Sequence, residues 1–288
     1  MNASPSYPTG PIAYLSAREI AKALRDGYGF DVGYDPEDIV RLIREDIARS
    51  FAEARVGITG ANAITAEEGT IVIAHNEGNI FETMRREKHL IVTGIDKIYP
   101  NLEEVMNMLK ILTYNATGAF IPSFVEVISG ISKTADVEKR FFPGVHNPKK
   151  VVLILLDNGR SEIARSEFRE LLYCIGCGNC LVYCHMYNSI GNEYARGSNL
   201  GGRGLALHAA LNGKREEKLE LCLTCDKCKI NCPVNIDIPH AIRKLRSDSM
   251  LSETRYFLKS HLIWLYYNLV INKMGRGGSG GECPGALK

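Results

Sequence analysis

The stretch Cys174-Ile175-Gly176-Cys177-Gly178-Asn179-Cys180-Leu181-Val182-Tyr183-Cys184 has the spacing C-x2-C-x2-C-x3-C. Cys222-Leu223-Thr224-Cys225-Asp226-Lys227-Cys228-Lys229-Ile230-Asn231-Cys232 repeats it, with Pro233 following. The doubled run is a bacterial signature for two [4Fe–4S] clusters. The reason is geometric. Three thiolates at two-residue spacers wrap a compact loop around three irons of a cubane, with backbone N–H groups turned toward the sulfides. The fourth cysteine of each run sits too far round to close its own cube and ligates the other cluster. The expected ligand sets are therefore Cys174, Cys177, Cys180 and Cys232 for one cluster, and Cys222, Cys225, Cys228 and Cys184 for the other.

Zinc and disulfides are the competing uses of such cysteines. Zinc typically takes two C-x2-C pairs and needs no third step of the same spacing. Disulfide scaffolds scatter their cysteines through short secreted chains, whereas here none precedes residue 174 and eight of the nine fall between 174 and 232. Two identical runs favour iron–sulfur over both. The ninth, Cys283, lies in a glycine-rich stretch and is expected to be a free thiol. His185 stands where a proline could follow Cys184; it is either a residue that tunes a cluster or an ordinary neighbour.

Outward from the runs, 37 residues from His185 to Leu221 separate them, a longer join than in a compact β-type ferredoxin. Leu205 to Leu211 and Glu216 to Leu221 have helical character, as do Ser166 to Tyr173 ahead of the first run and the segment from Pro239 through Ile242 and Leu245. These patterns predict an all-α dicluster domain over residues 161–250. In residues 251–274, the apolar segment Tyr256 to Val270 carries Phe257, Leu262, Trp264, Leu265 and Leu269. It reads either as a docking helix for a partner or as the last helix of the core. Residues 275–288 contain Gly-Gly-Ser-Gly-Gly and are expected to form a flexible tail.

The cysteine-free half, residues 1–160, reads as an α/β unit. Ser16 with Glu19 has the form of a capping box, and Asp35-Pro36 is a second helix start, followed by Ile39, Leu42, Ile43, Ile47 and Phe51 at helical spacing. Thr70 to Ala74 and His89 to Thr93 are short, β-branched and read as strands. Asn101 with Glu104 opens a helix through Val105, Met106, Leu109 and Leu112. The unbroken run Val151 to Leu156 predicts a strand buried on both faces. Strands alternating with helices imply at least some parallel pairing.

Polar loops punctuate this half: Gly57 to Asn62, Glu67 to Thr70, Asn76 to Asn79, and Asp157-Asn158-Gly159-Arg160. They form either a pocket at strand ends or simple turns in which Gly and Asn supply the backbone conformations. Their spacing is neither a dinucleotide fingerprint nor a Walker-type phosphate loop. The seven histidines are scattered with no nucleophile motif, and no catalytic residue is assigned.

The 288 residues predict about two domains, and 45% apolar with 24% charged residues is ordinary for a globular chain. Lys+Arg 35 against Asp+Glu 33 leaves a charge of +2, which argues against a dedicated nucleic-acid binder. Met1 to Gly10 lacks the pattern of a secretory signal, and no run reaches the roughly 18 apolar residues of a membrane span. The expectation is a cytoplasmic chain with reduced thiols, for which peripheral docking is the form of membrane contact left open.

The strings Val56-Gly57-Ile58-Thr59-Gly60-Ala61-Asn62, Glu68-Gly69-Thr70-Ile71-Val72, Asn76-Glu77-Gly78-Asn79 and Leu156-Asp157-Asn158-Gly159-Arg160, followed by the paired cysteine runs, resemble the iron–sulfur B subunit of the lactate-utilization system. The resemblance covers roughly residues 13–247. It implies a LUD domain of the NagB/RpiA/CoA-transferase class joined to a helical ferredoxin. It also implies a part in oxidising L-lactate to pyruvate, beside a cysteine-rich CCG-type subunit and a LUD-only subunit. Family members carry further sequence ahead of residue 13 and past residue 250, so the resemblance implies a LUD sheet that is shortened or completed by a partner.

Three functions follow from these features. The first is an electron-transfer subunit of a lactate-oxidising complex. The second is a redox carrier of another anaerobic complex, similar to heterodisulfide reductases, with the LUD domain as docking module. The third is a regulatory or structural protein held together by its clusters.

Overall fold

The computed structural model describes residues 15–76, 78–130, 133–134, 142–143, 148–213 and 216–247. The expectations for Met1 to Gly10, for 251–274, for 275–288 and for Cys283 lie outside these residues.

Helix α1 (Ala17–Tyr28) starts on the capping box: the Ser16 side chain accepts the Glu19 N–H, and the Ser16 N–H donates to the Glu19 carboxylate at 2.8 Å. Asp35 caps α2 (Pro36–Glu53), whose first helical position is Pro36. The two helices share a small core of Ala21, Val32 and Ile39.

The chain then runs through β1 (Val56–Thr59), β2 (Ala63–Thr65), β3 (Ile71–His75), α3 (Asn79–Met84), β4 (Lys88–Gly94), a 3-10 turn (Ile95–Lys97) and β5 (Ile98–Tyr99). It continues with α4 (Leu102–Thr117), β6 (Phe124–Ile128), the strand pair β7 (Lys133–Thr134) and β8 (Phe142–Pro143), and β9 (Lys150–Leu156). Strands β1, β4 and β9 form a parallel sheet in that order. Strands β5, β2, β3 and β6 form a second sheet, parallel only between β2 and β5.

Residues of both sheets, Ile64, Ile71, Ile73, Ile91 and Ile128, share one buried cluster with Met84 of α3. The opposite face of β2 and β3 packs Ala63 and Val72 against Val105, Met108 and Leu109 of α4. The central strands are continuous apolar runs because both of their faces are covered. Strand β9 corrects the expectation for Val151 to Leu156. Among the described residues it pairs only with β4, at the sheet edge, and Leu155 and Leu156 are 44% and 45% exposed. An apolar run specifies burial only where another layer arrives, and among the described residues none covers this edge.

The second half contains α5 (Arg160–Ala164), a 3-10 turn (Arg169–Tyr173), α6 (Asn179–Val182), α7 (His185–Ile190), a 3-10 turn (Gly191–Tyr194), β10 (Ala195–Arg196), β11 (Asn199–Leu200), α8 (Gly201–Asn212), a 3-10 turn (Glu217–Leu221) and α9 (Lys227–Ile230). A last helix, α10, spans 238–247, with the Asp237 side chain accepting the His240 N–H. Its core is Leu171, Leu181, Tyr187, Tyr194, Leu205, Leu219, Ile236, Ile238 and Ile242. The region is helical apart from the hairpin of β10 and β11, two residues in each strand, so it is not strictly all-α. The helix expected from Ser166 is a 3-10 turn beginning at Arg169.

Candidate metal centre

Each cysteine run folds into a loop that ends in one helical turn, α6 or α9. In the first run Gly176 (φ 83°) and Gly178 (φ 81°) take left-handed conformations. At the equivalent places in the second run stand Thr224 (φ 48°) and Asp226 (φ 59°). Glycine adopts this region freely, whereas a β-branched threonine is strained there. The same backbone path is thus held in both loops, once at ease and once under strain. The path turns backbone N–H groups toward sulfur. The amides of Tyr187, Thr224 and Ile236 each donate at 3.4 Å, to Cys184 Sγ, Cys222 Sγ and Cys232 Sγ respectively.

All eight cysteines of the two runs are free thiols. Burial pushes the thiols of Cys177 and Cys184 up, and the charges that add to this come from neighbours across the runs. For Cys177 they are Cys174 and Cys232. For Cys184 they are Cys222 and Cys225. Cys228 is pushed up to about 12, first by burial and then by Cys222, Cys184 and Cys225. Cys180 is raised further by burial and by Cys174, Cys177 and Cys228, while Arg203 favours its thiolate.

Cysteines of the two runs thus lie among one another: Cys232 acts on Cys177, Cys222 and Cys225 on Cys184, and Cys228 on Cys180. Thiolates gathered on one half-buried site need positive charge among them, which iron would supply. Among the described residues, no three His, Cys, Asp or Glu side chains meet closely enough to hold a single metal ion. The cavity between the thiols is lined by Cys180, Cys184, Cys222, Cys225 and Cys228 together with Tyr194 and Arg203. The Tyr194 hydroxyl and Arg203 Nε are buried donors with no hydrogen-bond partner in the protein. Thiols and unspent donors around one cavity suit an electron-rich sulfur cluster, and the residues present fit it.

The first loop is anchored on the α/β unit. Ile175 packs against the core formed by α4 with β2 and β3. Asn179 Nδ2 donates to Asn115 Oδ1 at 2.8 Å, and Lys97 Nζ donates to the Cys174 carbonyl at 2.8 Å. Lys97 is ion-paired with Asp96 at 3.7 Å, and Asp96 also takes Arg160 Nε at 2.6 Å. Burial, then the charges of Asp96 and Cys174, push the Tyr99 phenol up. Sequence reading missed Lys97, Tyr194 and Arg203. Lys97 lies 77 residues from its partner, and no periodicity marks it.

Among the described residues, none of the cavities found gathers the polar loops of the α/β unit together. Their side chains cap backbone instead: Asn62 accepts from Ala74 N, Glu68 from Leu102 N, Asn76 from Ser123 N, and Asp157 from Ser161 N. Gly57 is required because a Cβ there would collide with the Thr83 carbonyl of α3. His89 is satisfied by Thr59 Oγ1 at 2.8 Å, and His185 lies on the wall of the thiol cavity.

The LUD domain family model matches residues 11–156, and the 4Fe-4S dicluster domain model matches residues 170–236. The chain is similar to an uncharacterized electron transport protein, YkgF, of Escherichia coli, at 31% identity over 245 residues covering 84% of this chain and 50% of that protein. It is similar to Lactate utilization protein B of Geobacillus kaustophilus at 31% identity over 248 residues, covering 84% and 50% of the two chains. Against Lactate utilization protein B of Bacillus cytotoxicus, identity is 28% over 272 residues, covering 93% and 55%. The chain spans about half the length of these relatives. No solved structure matches it. Among the described residues, no helix is long and apolar enough to cross a membrane.

Proposed function

This chain belongs to the LUD domain family, and from that premise we propose that it is the iron–sulfur electron-transfer subunit of a complex oxidising L-lactate to pyruvate. The observation that carries the reading is that the two cysteine runs meet around one cavity, with Cys180 and Cys184 of the first run and Cys222, Cys225 and Cys228 of the second on its wall. Cys174, Cys177, Cys180 and Cys232 hold one [4Fe–4S] cluster, and Cys222, Cys225, Cys228 and Cys184 hold the second. Each cluster, when bound, takes up and gives back one electron, so two match the two electrons released from a 2-hydroxy acid.

The chain's own residues do the rest. The glycine and strained loop positions shape the cysteine loops, the helical core packs against Cys174, Cys180, Cys184, Cys222, Cys228 and Cys232, and Lys97 holds the first loop to the LUD domain. The Lactate utilization protein B relatives support lactate as the substrate of the complex. The proposed partners are a cysteine-rich CCG-type subunit and a LUD-only subunit, and the proposed location is the cytoplasm, where thiols stay reduced.

A second reading, a redox carrier in another anaerobic complex, draws support from the Escherichia coli relative, whose name specifies electron transport and no lactate. Purification with partners under anaerobic conditions, followed by iron and sulfide analysis and redox-titrated EPR, separates the two. Reduction of the clusters by L-lactate in the reconstituted complex supports the first reading. Full clusters that lactate leaves oxidised, in a complex lacking those partners, sink it.

A further inference from the structure

Among the described residues, three buried side-chain polar atoms lack a partner: His75 Nδ1, the Tyr194 hydroxyl and Arg203 Nε. Two of the three belong to residues that line the thiol cavity. Tyr194 is 0% exposed, packed in the same core as Leu205, Ile238 and Ile242. Gly202 leaves room for its hydroxyl: a Cβ at that position would lie 3.3 Å from the Tyr194 oxygen. The polar groups around the hydroxyl are the sulfur of Cys222, within reach as an acceptor, the sulfur of Cys184 and the Arg246 guanidinium.

A phenylalanine would fill the same volume without burying an unspent donor, and an unspent donor opposes folding. A neutral Cys222 thiol is only a weak acceptor, so the hydroxyl calls for a stronger one than the bare polypeptide supplies. A cysteine sulfur bound to a cluster is such an acceptor. As a ligand it is deprotonated and electron-rich, and it becomes more so when the cluster takes up an electron.

We propose that Tyr194 is a positioning residue for the cluster held by Cys222, Cys225, Cys228 and Cys184: its hydroxyl donates a hydrogen bond to the Cys222 sulfur and raises that cluster's reduction potential. The proposal rests on the iron–sulfur reading above. The sign follows from charge. A donor stabilises the more negative, reduced state more than the oxidised one, so the reduction equilibrium shifts toward reduced. The first cluster is served differently, through Lys97 at the Cys174 carbonyl and Arg203 beside Cys180.

The test is Tyr194→Phe in the full chain with its partners, with iron content, redox-titrated EPR and the stability of the iron-free protein as readouts. The expected result is full iron and one of the two midpoints lowered, by a roughly tenfold shift in the reduction equilibrium, which is about 59 mV for a one-electron couple. The other midpoint stays in place, and the iron-free variant is at least as stable as the iron-free parent. Loss of iron from a variant that is equally stable without iron also supports the proposal, because the hydroxyl then helps to retain the cluster. Unchanged midpoints with full iron overturn it, as do equal shifts of both midpoints. An iron-free variant less stable than its parent overturns it too, since the hydroxyl would then have a partner within the protein. Absence of iron and sulfide from the anaerobically purified parent would instead refute the cluster reading itself.

Discussion

Lys97 Nζ donates to the carbonyl oxygen of Cys174 at 2.8 Å, and this contact brings a charge of the LUD domain to the backbone of the first cysteine loop. The lysine side chain is 25% exposed and Asp96 holds it from the other side, so its charge is only partly screened. Lys97→Met is expected to lower the midpoint of the cluster held by Cys174 and leave untouched the one that Tyr194 reaches. Lys97→Arg, which keeps the charge and a donor, is expected to restore most of it. Potentiometric titration of both variants checks this, and equal midpoints in Lys97→Met and the parent would contradict it.

The interleaved ligand sets predict a pattern in double variants. Cys177→Ser and Cys225→Ser should each leave about four irons per chain, one cluster being lost in each. Combining Cys184→Ser with Cys225→Ser should still leave about four, because both belong to one cluster. Combining Cys184→Ser with Cys177→Ser should remove nearly all iron. If the Cys184 and Cys225 pair instead strips both clusters, each run closes its own cube and the assignment is wrong.

Thr224 occupies a left-handed position, φ 48°, whose counterpart in the first loop is Gly176. Thr224→Gly should relieve strain and stabilise the iron-free protein by about 1 kcal/mol, the low end of the cost of such a conformation. The gain is partly offset by the entropy that glycine adds to the unfolded chain. Denaturant midpoints of iron-free parent and variant provide the measurement.

Gly57 lies where β1 passes the Thr83 carbonyl of α3. Gly57→Ala should cost about 2 kcal/mol through overpacking. The cost is expected in chemical unfolding of the α/β unit, with iron content unchanged. A neutral effect would mean that α3 shifts away without penalty.

His89 gives the α/β unit an acid-side pH dependence. It is 1% exposed, and burial holds its imidazole below the usual histidine range. The folded state therefore binds fewer protons than the unfolded chain. Stability is full above the unfolded histidine value of about 6.5 and falls as pH drops from there through the lowered folded value. His89→Gln should be less stable at neutral pH but lose less between neutral and mildly acidic solution. Parallel curves for the two proteins would assign the acid sensitivity elsewhere.

Much of this molecule was legible in local patterns. The capping pairs Ser16–Glu19 and Asn101–Glu104, the Asp35-Pro36 start and the strands near Thr70 and His89 all lie in elements of the expected type. These signals are local because a cap or a periodic face is satisfied within a few residues. The run Val151 to Leu156 misled because apolar content records what a strand can bury, while its edge position depends on which layers arrive. The polar loops read as turns more readily than as a pocket, but spacing alone left both readings standing. That question turned on long-range acceptors, such as Glu68 reaching the amide of Leu102.

Two properties came from the sequence alone: the chemistry of eight thiols and their division into two repeated runs, which follow from spacing along a flexible backbone. Only the tertiary structure brought Lys97 to Cys174, seated Ile175 in the core behind α4 and buried the Tyr194 hydroxyl beside the Cys222 sulfur. The physical reason is one of range. A ligand loop is written in neighbouring residues, whereas the charges and donors that surround it come from residues far away in the chain and meet only when the cores close.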